Sequence, residues 1–184
     1  MDSMIEEQFT AMYRCHRVAV ERYVLRRVQA EDVGDVLAEV FLTAWRRYEQ
    51  IPADPLPWLY GVARRVLAND RRAARRRRDL SDRLAVQPQP RADTHAHAED
   101  VAGLTDVARA FSRLSSQDQE VLRLCLWEEL TPSEIAQVLG QAQIAVRVRL
   151  HRARQRLQKH LRPISQIPPA SPVGIQQEAK DARR

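Results

Sequence analysis

The chain has 184 residues, with 30 Lys+Arg against 24 Asp+Glu, a formal charge of +6 and 44% hydrophobic residues. That size holds one medium domain or two small ones, and the apolar fraction excludes disorder throughout. No window approaches the roughly 18 apolar residues of a membrane span, and the acidic residues 1–7 do not resemble a secretory signal.

Taken in order, Phe9, Met12, Tyr13, Val20, Val24 and Val28 predict a first helix. Val33, Val36, Leu37, Val40, Phe41, Ala44, Trp45 and Tyr48 alternate spacings of three and one, the face of a second. Pro52, Pro55 and Pro57 break it, because proline lacks the backbone donor a helix interior needs. Trp58, Leu59, Val62, Ala63, Val66 and Leu67 then predict a third helix. Its continuation, residues 64–78, holds eight arginines and one acid. Arginine at this density behaves as a phosphate rail, with sequence-tolerant and salt-sensitive binding. Trp58 and Tyr60 beside it have two readings, stacking on unpaired bases or packing in the core.

Residues 80–103 hold Pro88, Pro90 and few apolar residues, with two basic against four acidic side chains. Residues 1–79 hold 15 basic against 12 acidic, and residues 104–162 hold ten against six. A Pro-interrupted acidic stretch between two basic helical blocks reads as a linker. Residues 163–184 read as a disordered tail.

In the second block, Leu104, Val107, Ala108, Phe111 and Leu114 predict a helix, and Ser115 or Ser116 can cap the next, with Val121, Leu122, Cys125 and Leu126. Thr131-Pro132-Ser133-Glu134 is a capping box with Pro at the first helical position. Gly140 can end that short helix in the left-handed conformation. A long helix follows, with Val146, Leu150, Ala153, Leu157 and Leu161 on one face and seven cations, Arg147 to Arg162, on the others. No acid occurs between Glu134 and Glu178. A short helix, a Gly turn and a basic second helix make the order of a major-groove reader. The fold expected is all-α, as two small helical domains joined by a flexible linker.

Glu31, Asp32, Asp35 and Glu39 open the second helix, where negative charge suits the dipole. Glu39 lies too deep for that explanation, so the strip also suits a basic protein partner. Catalysis would need clustered carboxylates, a His/Cys set or an activated nucleophile. The five histidines are scattered, and His95 and His97 stand without further ligands. Neither an enzyme nor a cofactor is expected. Cys15 and Cys125 are too few for a disulfide scaffold and read as inert thiols in a reducing cytoplasm.

Residues 30–45, AEDVGDVLAEVFLTAW, resemble region 2 of extracytoplasmic-function (ECF) sigma factors, and residues 57–64, PWLYGVAR, resemble the next helix of that region. Residues 150–157, LHRARQRL, are similar to the end of the region 4 recognition helix. The likeness covers roughly residues 5–162 in the family's order. It implies region 2 at 1–79, a linker at 80–103 and region 4 at 104–162, with no membrane insertion. The implied partners are core RNA polymerase (β′ clamp helices and β flap), promoter DNA and an anti-sigma factor. Asp35, Glu39 and Leu42 would face the clamp helices. Residues 48–57, with Tyr48, would pocket a flipped −10 base beside Trp58, Arg64, Arg65 and Asn69, and Arg71, Arg72, Arg75 and Arg76 would follow the −10 backbone. Arg147, Val148, Arg149, His151 and Arg152 would meet the −35 duplex. The family often has Gln at Ala38 and Asn at Arg65, and begins its recognition helix with Ser or Pro and a Gly-Thr pair. Residues 141–145 read QAQIA instead, and Val148 replaces a small polar residue. Those changes predict an altered −35 specificity and the loss of a helix cap worth about 1 kcal/mol. The alternative is a helix-turn-helix regulator that does not associate with core polymerase.

Overall fold

The computed structural model describes residues 2–84 and 105–161. They form seven α-helices and no strand: α1 Asp2–Leu25, α2 Val33–Arg46, α3 Pro55–Leu84, α4 Thr105–Ser112, α5 Ser116–Leu126, α6 Pro132–Leu139 and α7 Gln143–Leu161. Helix α3 runs five residues past the boundary expected at 79. The remainder of the expected linker, with His95 and His97, lies outside the described residues, as do Arg162 and the expected tail.

Local chemistry sets the helix ends. Ser115 Oγ accepts a hydrogen bond from the Asp118 amide at the start of α5. At α6, Thr131 Oγ1 accepts from the Glu134 amide, while Glu134 Oε2 accepts from the Thr131 amide at 2.6 Å, so the expected capping box closes on both sides. Gly140 ends α6 at φ 63°, ψ 40°, a left-handed conformation that costs glycine nothing and turns the chain into α7. Helix α5 ends less comfortably. Glu129 takes φ 55°, the only non-glycine positive φ among the described residues.

Helices α1, α2 and α3 pack together around Tyr23, Val24, Val36, Val40, Ala44, Leu59, Val62 and Ala63. Helices α4 to α7 pack around Leu114, Val121, Leu122, Leu124, Ile135, Val146, Leu150 and Ala153. Trp45, expected on the core face of α2, is 42% exposed, with its ring edge-on to Phe9 at 4.9 Å.

The two helical groups do not stand apart. Their buried residues form one continuous cluster, because α3 lies along α6. Gly61 of α3 faces the Val138 backbone of α6, where an added Cβ would meet the carbonyl oxygen at 3.6 Å, an ordinary van der Waals contact. Beside this contact an ionic clasp joins the end of α1 to α5 and its following turn. Arg27 lies over the Tyr23 ring at 3.5 Å and donates to both Glu120 and Glu128. Arg26 donates to Glu128 as well, and the Tyr23 hydroxyl donates to Glu120 at 3.3 Å. The Glu128 side chain is 2% exposed and that of Arg27 6%. Burial pushes the Tyr60 hydroxyl up to about 12, with the nearby Glu128 carboxylate adding to the shift.

Buried charges persist only when paired, so losing one partner is more costly than the pair is worth. Glu128→Ala therefore lowers the unfolding free energy by about 3 kcal/mol in urea titration and enlarges the radius of gyration in small-angle scattering. Glu128→Gln, which keeps an acceptor oxygen for Arg26 and Arg27, loses less in both measurements. Glu129→Gly relieves the left-handed strain and raises stability by about 1 kcal/mol in the same titration.

Candidate nucleic-acid interface

Helix α3 carries most of the residues expected at single-stranded DNA. Arg65, Asn69, Arg72 and Arg76 follow spacings of four, three and four along one exposed stripe. Arg64, Arg71 and Arg75 form a second exposed stripe beside it. The buried positions Val62, Ala63, Val66 and Leu67 hold the opposite face against α1 and α2, which points the arginines outward. Arg65 Nε donates to the Gly61 carbonyl at 3.0 Å, and Arg72 donates to Asn69 Oδ1 at 2.6 Å. These bonds steady two members of the rail without neutralising either cation.

The two aromatic candidates sit differently. Trp58 is half-buried and packs against the core, so of its two readings the packing one describes this structure. Tyr60, also placed beside the rail, is 3% exposed. Tyr48 lies in the short 3-10 turn after α2, where its hydroxyl donates to Gln8 Oε1 at 2.6 Å. Arg71 comes close enough to the second helical group to act on Arg123. Burial depresses the Arg123 guanidinium, opposed by the Glu120 carboxylate, and the like charges of Arg27 and Arg71 depress it further.

Helix α2 presents Asp35, Glu39 and Leu42 at spacings of four and three, all exposed, opposite its buried stripe. Leu42 and Trp45, each 42% exposed, put an apolar strip next to the two carboxylates.

Helices α6 and α7, joined by Gly140, form the expected helix-turn-helix. Val146, Leu150 and Ala153 anchor α7, leaving Arg147, Val148, His151 and Arg152 exposed. Arg149 is half-buried and donates to Gln117 on α5. Arg156, counted in the basic face, instead donates to Asp118, whose side chain is 5% exposed. The basic face is therefore two populations: cations open to solvent near the start of the helix, and cations that brace α7 on α5. Sequence spacing alone could not separate them, because the bracing partners lie 32 and 38 residues away. Ile144, passed over as a site residue, is 77% exposed on the first turn. Its signal was legible, since it falls off the buried stripe of α7. Among the described residues no cluster of three or more His, Cys, Asp or Glu could hold a metal ion, and no helix is long and apolar enough to cross a membrane.

Arg156→Ala leaves the buried Asp118 carboxylate without its counter-ion. It lowers the thermal midpoint by several degrees, a loss of about 2 kcal/mol. Arg76→Ala, on an exposed cation, leaves the midpoint unchanged in the same calorimetric scan.

Residues 12–77 match the family described as Sigma-70 region 2, and residues 104–157 match Sigma-70, region 4. The chain is 32% identical over 149 residues to the ECF RNA polymerase sigma factor SigL of Mycobacterium tuberculosis, covering 78% of this chain and 82% of that protein. It is 31% identical over 152 residues to the probable RNA polymerase sigma factor RfaY of Xanthomonas campestris pv. campestris, spanning 37% of that longer protein. Among solved structures, the sigma factor RpoE in complex with the anti-sigma factor NepR from Bartonella quintana aligns with a TM-score of 0.60 at 21% identity, over 85% of this chain and 98% of that one. CnrH in complex with the cytosolic domain of CnrY aligns at 0.56 and 23% identity, over 86% and 90%. The fold is thus shared with sigma factors, and the sequence likeness to SigL covers both helical groups. The chain belongs to the ECF family of RNA polymerase sigma factors.

Proposed function

We propose that this sigma factor works in the cytoplasm without catalysis of its own, handing core RNA polymerase its promoter contacts. Asp35, Glu39 and Leu42 on α2 dock on the β′ clamp helices. The α3 rail, from Arg64 to Arg76, holds the −10 strand, with Tyr48 at its edge. The exposed start of α7, with Arg147, Val148, His151 and Arg152, reads the −35 duplex, and region 4 rests on the β flap. The observation that carries the reading is the pairing, in one chain, of an exposed acid-and-leucine stripe on α2 with an exposed groove-reading face on α7. A helix-turn-helix regulator with no polymerase contact would have no use for the first. An anti-sigma partner is supported by the solved relatives RpoE and CnrH, whose structures hold NepR and CnrY.

This function requires the molecule to open. By their names the −10 and −35 elements lie about 25 base pairs apart, roughly 85 Å at 3.4 Å per step. With α3 lying along α6, the two DNA-binding helices belong to one packed core. The 20 residues between Leu84 and Thr105 reach at most about 70 Å when extended, which together with the breadth of the two domains spans the promoter. Opening breaks the Arg26, Arg27, Glu120 and Glu128 clasp.

Runoff transcription with core enzyme tests the assignment: a promoter-specific product that depends on this chain is expected, and neither product nor core association would overturn it. Arg147→Ala lowers discrimination among −35 sequences at the base pair it contacts. Arg76→Ala weakens binding evenly and reduces the salt slope by about one phosphate contact.

A further inference from the structure

The outward face of α7 carries aliphatic side chains where a solvated helix would place polar ones. Ile144 is 77% exposed and Val148 43%. Four residues apart, they share one stripe with His151 and Gln155, opposite the buried Val146, Leu150 and Ala153. Arg147 and Arg152, both exposed, border that stripe on its two sides. Farther along it, Gln155 Nε2 lies 3.0 Å from His151 Nε2, a hydrogen bond that holds the imidazole against the helix.

A single exposed aliphatic residue calls for no explanation. Two on the first turns of the second helix of a helix-turn-helix, flanked by exposed cations, occupy the place where side chains meet base edges. Neither can hydrogen-bond to a base. The feature of the major groove that an aliphatic group recognises is the C5-methyl of thymine. Both residues are β-branched, so each holds one strongly preferred rotamer in a helix and presents its methyls with little entropy left to lose. Four residues of helix advance about 6 Å, close to two base-pair steps.

We propose that Ile144 and Val148 read the C5-methyl groups of two thymines, about two steps apart, in the −35 duplex, while Arg147 and Arg152 hold the register on phosphates and neighbouring base edges. The inference rests on the groove-reading role of α7 and gives it a chemical specificity. Thymine methyls, rather than guanine acceptors alone, then set which promoters this chain selects.

The probe is a pool of promoter duplexes randomised over the −35 region, selected with the full chain bound to core polymerase. The enriched sequence is then remade with deoxyuridine in place of each thymidine in turn, which removes one methyl and leaves base pairing intact. Two positions are expected to lose roughly three- to tenfold in affinity. Ile144→Ser abolishes the sensitivity at one of them and Val148→Ser at the other. Both substitutions are at the surface, and an unchanged thermal midpoint confirms that each variant folds. An enriched sequence indifferent to uracil, or equally sensitive in wild type and both variants, overturns the methyl reading and leaves α7 a groove reader. A pool with no enriched −35 sequence, despite core binding, overturns the groove reading itself.

Discussion

The guanidinium of Arg27 is the hinge of the architecture. It lies on the Tyr23 ring, nearly out of solvent, between the carboxylates of Glu120 and Glu128, which belong to the other helical group. A cation in that position must have its anions, since a buried guanidinium without them would be a large penalty on the folded state. The apolar seam between α3 and α6 supplies area but little directionality. The clasp supplies the register, because only one placement of α5 and its turn brings both glutamates to α1. Around it, Arg26 and Arg123 lie over the Trp127 ring at 5.9 and 5.7 Å, so the rim is also cationic and aromatic.

Ion pairs of this kind weaken with salt where they reach solvent, and the same property governs arginine bound to phosphate. The chain thus uses one side chain for two opposed purposes. Arg26 and Arg27 meet carboxylates within the protein, while among the described residues Arg64 to Arg76 and Arg147 to Arg152 form no ion pair with an acid. Net charge reports neither population, being the small difference between them. In the proposed function, polyanionic DNA would compete for the second population without touching the first, so promoter binding and opening would draw on different arginines.

Much of the local structure was legible in the residues. Apolar spacing marked each helix, and the capping box at Thr131 and the turn at Gly140 form where their residue types place them, because both depend on atoms within a few residues. The spacing also identified the inner face of α7 and, by subtraction, its outer one. Trp45 misled because it obeys the spacing of α2 while lying at the margin of the buried stripe, where Phe9 covers only part of its ring. Arg149 and Arg156 carry contacts that spacing could not show, for a different reason. An arginine on a basic helix looks free until its partner is known, and Gln117 and Asp118 arrive from another helix.

Sequence alone determined the secondary structure, the order of the two basic helices and the family, since each follows from short-range periodicity, caps and motif spacing. Only the tertiary structure decided that the two helical groups share one core and which cations are already engaged. Those outcomes rest on pairings across about a hundred residues, Arg26 with Glu128 and Arg27 with Glu120. No local rule connects such positions; they become neighbours only when α3 settles against α6 and the buried charges find their counter-ions.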